Sequence, residues 1–409
     1  MHVLESYALQ NDLKIDRPLI YEKFFPLAID NFITLDTSNL GTSALSYDHW
    51  QLVVDLISPE LEKKGIKIIH LGDKGDTPLT SCYSAIGQCN FNQKCYVINK
   101  SLVHVSPNNE SMHIASSLGK RCVSLFSNNC FPNQFAPYWG NEKYMEIISP
   151  PITQKPSFNP QENPKSINGI TPEKIAQKVL NLAGIVTFVP EFKTLRIGNA
   201  FNRKRVESTL THLLDPEKIG VSSLIVRMDL NFNEEALKVQ LKASPCSVIT
   251  NRPFSVEILK QFSKRIVELV YYVEDDDIAG VVFINEVAEK SINCLLRSRA
   301  QGEELNDYKL AYFDYGQVHQ ILTKGQQDFE ELKDKKKLYY KSNHFIIHNN
   351  SFYTSSATLL ADEFFNMGVE DPSERQNKGF PSMEHEPQPV IDDPLFWEEE
   401  EHFHFFVRK

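Results

Sequence analysis

The chain has 409 residues, 41% of them hydrophobic and 23% charged, with a formal net charge of −10. That length accommodates two ordinary domains with cores of their own, and the acidity argues against a protein that coats nucleic acid nonspecifically. No apolar run approaches the roughly 18 residues of a membrane span, and the opening residues MHVLESY lack both the basic region and the apolar core of a secretory signal.

Residues 31–148 alternate strand and helix. A strand is expected at 32–35. An amphipathic helix follows over 47–64, where Trp50, Val53, Val54, Ile57 and Leu61 recur at helical spacing before Gly65 ends it. Residues 66–71 form a buried strand, and Gly72, Asp73, Lys74, Gly75 and Asp76 make a turn-rich loop. A short helix at 91–99 leads to a strand at 102–105, a polar turn at 106–110 and a helix at 109–118. Gly119 stops that helix, and a strand at 122–126 follows. Buried strands in alternation with helices imply a parallel sheet covered on both faces.

The turn at 106–110 is the sharpest functional signal. It lies at the carboxyl end of a strand, where ligands of open α/β sheets collect. It also opens a helix, whose free N–H groups and partial positive charge suit an anion such as a diphosphate. Asn108 or Asn109 is a natural N-cap. Glu110 favours the helix dipole and would meet ribose or sugar hydroxyls rather than phosphate. Lys74 is the nearest cation for a phosphate, although a solvated turn is its plainer reading.

Residues 149–172 are rich in proline and polar side chains and read as a connector. A second alternation occupies 190–325. Strands are expected at 193–197, 223–227, 246–250, 269–273, 281–284 and 309–313. Helices are expected at 203–214, 234–242, 256–264 and 286–299. This pattern predicts a second Rossmann-like, doubly wound domain. Arg203, Lys204 and Arg205 follow its first strand and suit an anion. Glu274, Asp275, Asp276 and Asp277 form an acidic turn that could hold a divalent metal, with a solvated turn as the commoner outcome. Asp229 and Asp314 follow predicted strands and are the candidates for a general base; turn or capping roles compete. Residues 326–409 hold a charged helix at 328–337, an aromatic stretch at 339–353 and an acidic tail with His402 and His404. The seven cysteines are odd in number and have no metal-binding spacing, so they read as reduced thiols of a cytoplasmic protein.

The run Met112, His113, Ala115 and Gly119, set between two strands, resembles the donor-binding signature of the heptosyltransferases, family 9 of the GT-B glycosyltransferases. The resemblance extends over about residues 1–187, through Tyr47, Trp50 and the strand ending at Leu71 and Gly72 to a closing helix after Pro172. It implies two Rossmann-like α/β domains in a GT-B-like arrangement. It implies transfer of a sugar, with inversion, from a nucleotide-diphosphate donor to a hydroxyl of a glycan or other acceptor, as in lipopolysaccharide synthesis. It also implies no cofactor and no metal. The donor residues carried over are Thr42, Ser43, Gly72, Lys74, Asn108, Asn109, Glu110, Ser111, Met112 and His113. Two departures fall on the phosphate contacts. Asn108, Asn109 and Glu110 replace the family's Asp-Ser-Gly, and the family's Lys falls near Leu45, where Thr42, Ser43 and Ser46 carry no charge.

Residues 1–30 resemble the connector between the two family domains. The expected organisation is therefore this connector, a donor domain at 31–148, a linker and closing helix at 149–189, a second domain at 190–325 and a tail. The acceptor domain would be lost, supplied by a partner subunit, or permuted into the second half. Peripheral membrane contact is compatible with the composition. The rival reading is a non-catalytic binding or assembly protein that kept the fold.

Overall fold

The computed structural model describes residues 1–39, 41–151, 157–275, 278–322, 329, 337–349, 351–361 and 386–408. Asp276 and Asp277 of the acidic turn, most of the expected 328–337 helix and residues 366–385 of the tail lie outside the described residues. The chain is mixed α/β and divides into two compact units, Met1–Arg196 and Ile197–Arg408. Among the described residues no helix is long and apolar enough to cross a membrane.

The first unit is built on six strands: β1 (Phe32–Asp36), β2 (Lys67–Leu71), β3 (Tyr83–Ser84), β4 (Val103–Pro107), β5 (Arg121–Leu125) and β6 (Met145–Ile148). They lie in the order β3-β2-β1-β4-β5-β6, all parallel. This is the Rossmann order, and its reversal point lies between β1 and β4. Side chains alternate across the sheet. Ile33, Leu35, Val103 and Val105 join α2 (Trp50–Glu62) and α6 (Pro172–Leu182) in one core. Phe32, Ile69 and Cys122 join α3 (Phe91–Lys100) and α4 (Glu110–Ser117) in the core of the other face. The helix expected at 47–64 begins at Trp50, with Tyr47 buried just before it. A short helix α1 (Val3–Gln10) opens the unit, and α5 (Pro132–Phe135) is a single turn. The strand β7 (Phe192–Ile197) is tied to α6 where Glu173 Oε1 accepts from Thr194 N at 2.8 Å and Thr194 Oγ1 at 2.7 Å.

In the second unit the parallel strands are β8 (Arg205–Ser208), β9 (Leu224–Arg227), β10 (Cys246–Thr250), β11 (Ile266–Tyr272), β12 (Cys294–Ser298) and β13 (Val318–Gln320). They are laid down in sequence. The chain then returns to the far side of β8 with β15 (His344–His348), parallel to it, and β16 (Ser351–Tyr353), antiparallel to β15. Val206, Val226, Val248, Leu269, Leu296 and Phe345 point to one face. There they meet α8 (Glu234–Ala243), α9 (Val256–Phe262), α10 (Ile278–Glu289) and α11 (Gly302–Ala311) in a continuous core. A smaller antiparallel group, β14 (Leu338–Ser342) between β17 (Gln388–Pro389) and β18 (Phe403–Arg408), encloses Tyr340, Phe396, Trp397, Phe403 and Phe405.

Four expected elements are corrected. Residues 281–284 lie inside α10, which buries Gly280, Phe283, Ile284 and Val287 at helical spacing. A short apolar run fits a buried helix as well as a strand, and here the helix prevails. The strand beside it is β12, inside the stretch expected to continue a helix to 299. Residues 309–313 end α11 rather than forming a strand, so Asp314 follows a helix and is exposed. Residues 203–214 hold β8 in place of a helix, because Val206 and Ser208 take alternating places in the sheet.

Candidate functional site

The helix α4 begins as the polar turn predicts. Asn109 is its N-cap, and its Oδ1 accepts from Ser111 N at 3.0 Å and Ser111 Oγ at 2.6 Å. The other end of the Asn109 amide donates to Ser38 O at 3.0 Å, tying the helix to the loop after β1. At the far end, Arg17 donates from Nε and Nη2 to Ser117 O at 3.0 and 2.7 Å. A cation on the last carbonyls complements the helix dipole.

The carboxyl ends of β1 and β4 meet beside this helix, and their side chains toward α3 and α4 are polar. Asp36 is fully buried; its Oδ1 accepts from Ser38 N at 3.0 Å and Ser38 Oγ at 2.7 Å. Its Oδ2 stands 3.3 Å from Lys94 Nζ, which also reaches Glu110 Oε1 at 3.3 Å. Burial works against an ionised Asp36, but Lys94 and Ser38 together outweigh it and hold the carboxyl below its ordinary range. His104 bridges Thr34 Oγ1 and Ser111 Oγ, at 2.9 Å each. Its complete burial lowers its pKa to about 4, so the ring is neutral at neutral pH.

The predicted donor residues fall into three groups. Asn108, Asn109, Ser111 and Met112 are buried; Met112 packs in the core and Asn109 and Ser111 serve the cap. Glu110 is exposed at the start of α4, with Lys94 beside it, and His113 is half-buried in α4. Burial, and then the charge of His2, lowers the pKa of His113, which makes it a neutral hydrogen-bonding group rather than a phosphate cation. Thr42 and Ser43 are half-buried before α2, Gly72 follows β2, and Lys74 is exposed. A Cβ at Gly72 would stand 2.7 Å from Asp76 Oδ2, so a side chain there would have to push the Asp76 carboxyl aside.

Sequence reasoning missed Asp36, Ser38, Lys94 and His104. A signal for Asp36 and His104 was available: Thr34, Asp36, His104 and Ser106 are polar at every second position of otherwise apolar strands. In an alternating strand that marks one polar patch on one face.

Of the candidate bases, Asp229 accepts from Arg227 Nε at 2.9 Å and Nη2 at 2.8 Å. Asp314 is exposed. The basic run expected to meet one anion is dispersed: Lys204 Nζ donates to Ile219 O at 2.7 Å, Arg203 is exposed, and Arg205 points into the second unit's polar face. There Glu207 is fully buried between Arg227 Nη1 at 2.6 Å and Arg205 Nε at 2.6 Å, with His344 Nε2 3.1 Å away. Burial opposes the charge on Glu207, but Arg227, His344 and Arg205 outweigh it and hold the carboxyl well below its usual range. All seven cysteines are free thiols; burial pushes Cys82, Cys246 and Cys294 up to about 12.

No family model matches the chain, and no curated protein sequence does. Solved structures match it in part. A family 9 glycosyl transferase from Veillonella parvula is 13% identical with a TM-score of 0.32, over 37% of this chain and 46% of that one. The ADP-heptose lipopolysaccharide heptosyltransferase II of E. coli is 18% identical with a TM-score of 0.31, over 44% of this chain and 50% of that one. E. coli WaaC with ADP-2-deoxy-2-fluoro heptose matches over 74% of this chain and 99% of that one, at 9% identity and a TM-score of 0.24. The chain thus resembles heptosyltransferases over part of its length and spans about half of the first two structures. At these identities and scores the likeness is one of strand-and-helix pattern.

Proposed function

We propose that this protein is of glycosyltransferase type and binds a nucleotide-diphosphate sugar in its first unit, at the crevice between the carboxyl ends of β1 and β4. The observation that carries the reading is the strand order β3-β2-β1-β4-β5-β6, whose reversal lies at that crevice. The first turn of α4 would face the diphosphate with its backbone N–H groups, and Lys74 would supply the nearby positive charge. His113, Thr42 and Ser43 would offer neutral hydrogen bonds, and Glu110 would accept from ribose or sugar hydroxyls. Transfer to an acceptor hydroxyl needs a general base. Asp229 and Asp314 remain the proposals for that role, and Asp229 must first loosen its pair with Arg227.

A second reading is a binding or assembly protein that does no transfer. One observation favours it: Lys94 faces two carboxylates, Asp36 and Glu110, so its charge is already matched inside the protein. Calorimetric titration of the full chain with UDP, ADP, GDP and CMP separates the readings. Saturable binding of one nucleoside diphosphate is expected, weakened about tenfold, or by about 1.4 kcal/mol, in His113→Ala. Absence of binding to all four by folded protein would remove the donor site and leave the second reading.

A further inference from the structure

The face of the second sheet turned away from its helices is polar where a core would be apolar. Arg205, Arg227, Tyr272 and Arg297 project from β8, β9, β11 and β12, and His344 from β15. The segment from Leu395 to His402 covers them and leaves a cavity of about 70 Å³. Four guanidinium groups line it, against the two carboxylates Glu398 and Glu399. Three of the four already have a carboxylate partner, Arg205 sharing Glu207 with Arg227 at 2.6 Å each. Arg227 is held by Glu207 and Asp229, and Arg299 by Glu398 at 2.6 Å and Glu274 at 3.3 Å.

The remaining groups point to a ligand. Among the described residues, the Arg205 side chain commits only Nε, to Glu207, and the guanidinium of the exposed Arg297 has no hydrogen-bond or ion-pair partner. His344 is 1% exposed; its Nε2 stands 3.1 Å from Glu207 Oε1, while its Nδ1 has no hydrogen-bond partner and lies 3.9 Å from Glu399 Oε2. The Nδ1 of His402, whose ring centre is 5.1 Å from that of His344, is also unpaired. A buried polar group without a partner is costly unless a bound molecule or water satisfies it.

We propose that this cavity is an oxyanion site that takes a phosphoryl group, free or as a monoester. Its donors are Arg205, Arg297, Tyr272, His344 and His402. The nucleotide-sugar reading of the first unit neither requires this site nor depends on it. A metal is the competing occupant, because Glu207, His344 and Glu399 can bring one ligand atom each within 4.8 Å of one another. Their carboxylates are engaged, however. Glu207 accepts from two guanidiniums, and Glu399 accepts from Ser356 N at 3.0 Å and Ser356 Oγ at 2.6 Å. A divalent cation there would sit against Arg205 and Arg227. An anion meets guanidiniums instead, whose geometry suits phosphate.

The test is titration of the full chain with inorganic phosphate and with phenyl phosphate, read by calorimetry and by phosphorus NMR line width. One-site saturable binding is expected, weakened at least tenfold in Arg297→Ala. A smaller loss of about threefold is expected in Tyr272→Phe, which keeps the ring under Arg299. Tighter binding of the ester would identify a phosphoryl group presented by an organic molecule, and equal binding would identify free phosphate as sufficient. Three results overturn the proposal: no saturable binding, binding unchanged in both folded variants, or binding lost in His113→Ala instead. Saturable Mn²⁺ binding that phosphate does not alter and that disappears in His344→Gln would also overturn it, in favour of a metal site.

Discussion

His104 holds its place by hydrogen bonds alone. Thr34 and Ser111 flank the ring, and burial lowers its pKa to about 4. In the unfolded chain a histidine titrates near 6.5. Below that value the unfolded state takes up a proton that the folded ring refuses. The stabilising contribution of a neutral His104 is therefore complete above pH 6.5 and declines as the pH falls toward 4. The shift corresponds to roughly 3 kcal/mol. Urea denaturation followed between pH 7 and pH 4.5 should show the first unit weakening across this window. In His104→Gln, starting from lower stability, the slope should be shallower; an unchanged slope would assign the loss to other groups. Asp36 acts in the same direction at lower pH, since its carboxyl is held below the ordinary range and its contribution disappears as it is protonated.

At the scale of elements, α4 was legible because its signals are local: an Asn cap, an acid in the first turn and Gly119 just beyond the end. The elements of the second unit were less so. The apolar segment 281–284 has no alternation to separate strand from helix, and only the packing of α10 beside α9 and β12 resolves it. Gly198 shows what a local reading cannot supply. In the sequence it is one more residue between the first expected strand of the second domain and the basic run at 203–205. In the fold it is a site of close approach, where its N–H donates to Phe403 O at 2.8 Å and a Cβ would run into the carbonyls of Glu400 and Glu401. Its φ is not the reason, so the obstacle is space alone. Gly198→Ala should cost about 1–3 kcal/mol, measured as a lower urea midpoint for the second unit. An unchanged midpoint would mean that residues 400–401 yield.

Among the described residues, the larger clusters of buried apolar side chains do not mix the two units. One is drawn wholly from the second unit, and two, on either face of the first sheet, wholly from the first unit. Chains with separate cores commonly depart from two-state unfolding. Scanning calorimetry should resolve two transitions, with Gly198→Ala lowering one and leaving the other in place. A single transition shifted as a whole by that variant would show that the units unfold as one.

The sequence by itself determined β1, β2, β4 and β5, the helices α2, α3, α4 and α6, and the polar turn at 108–110, because alternation, capping and glycine stops act within a few residues. It also carried the resemblance to heptosyltransferases, since that signature is contiguous. Only the tertiary structure decided which charges meet. Asp36 finds Lys94 across 58 positions, and Glu207 finds Arg227 across 20 and His344 across 137. Such meetings depend on strand order and register, which long-range packing sets. Taking a charge out of water is tolerable only where that packing delivers a partner.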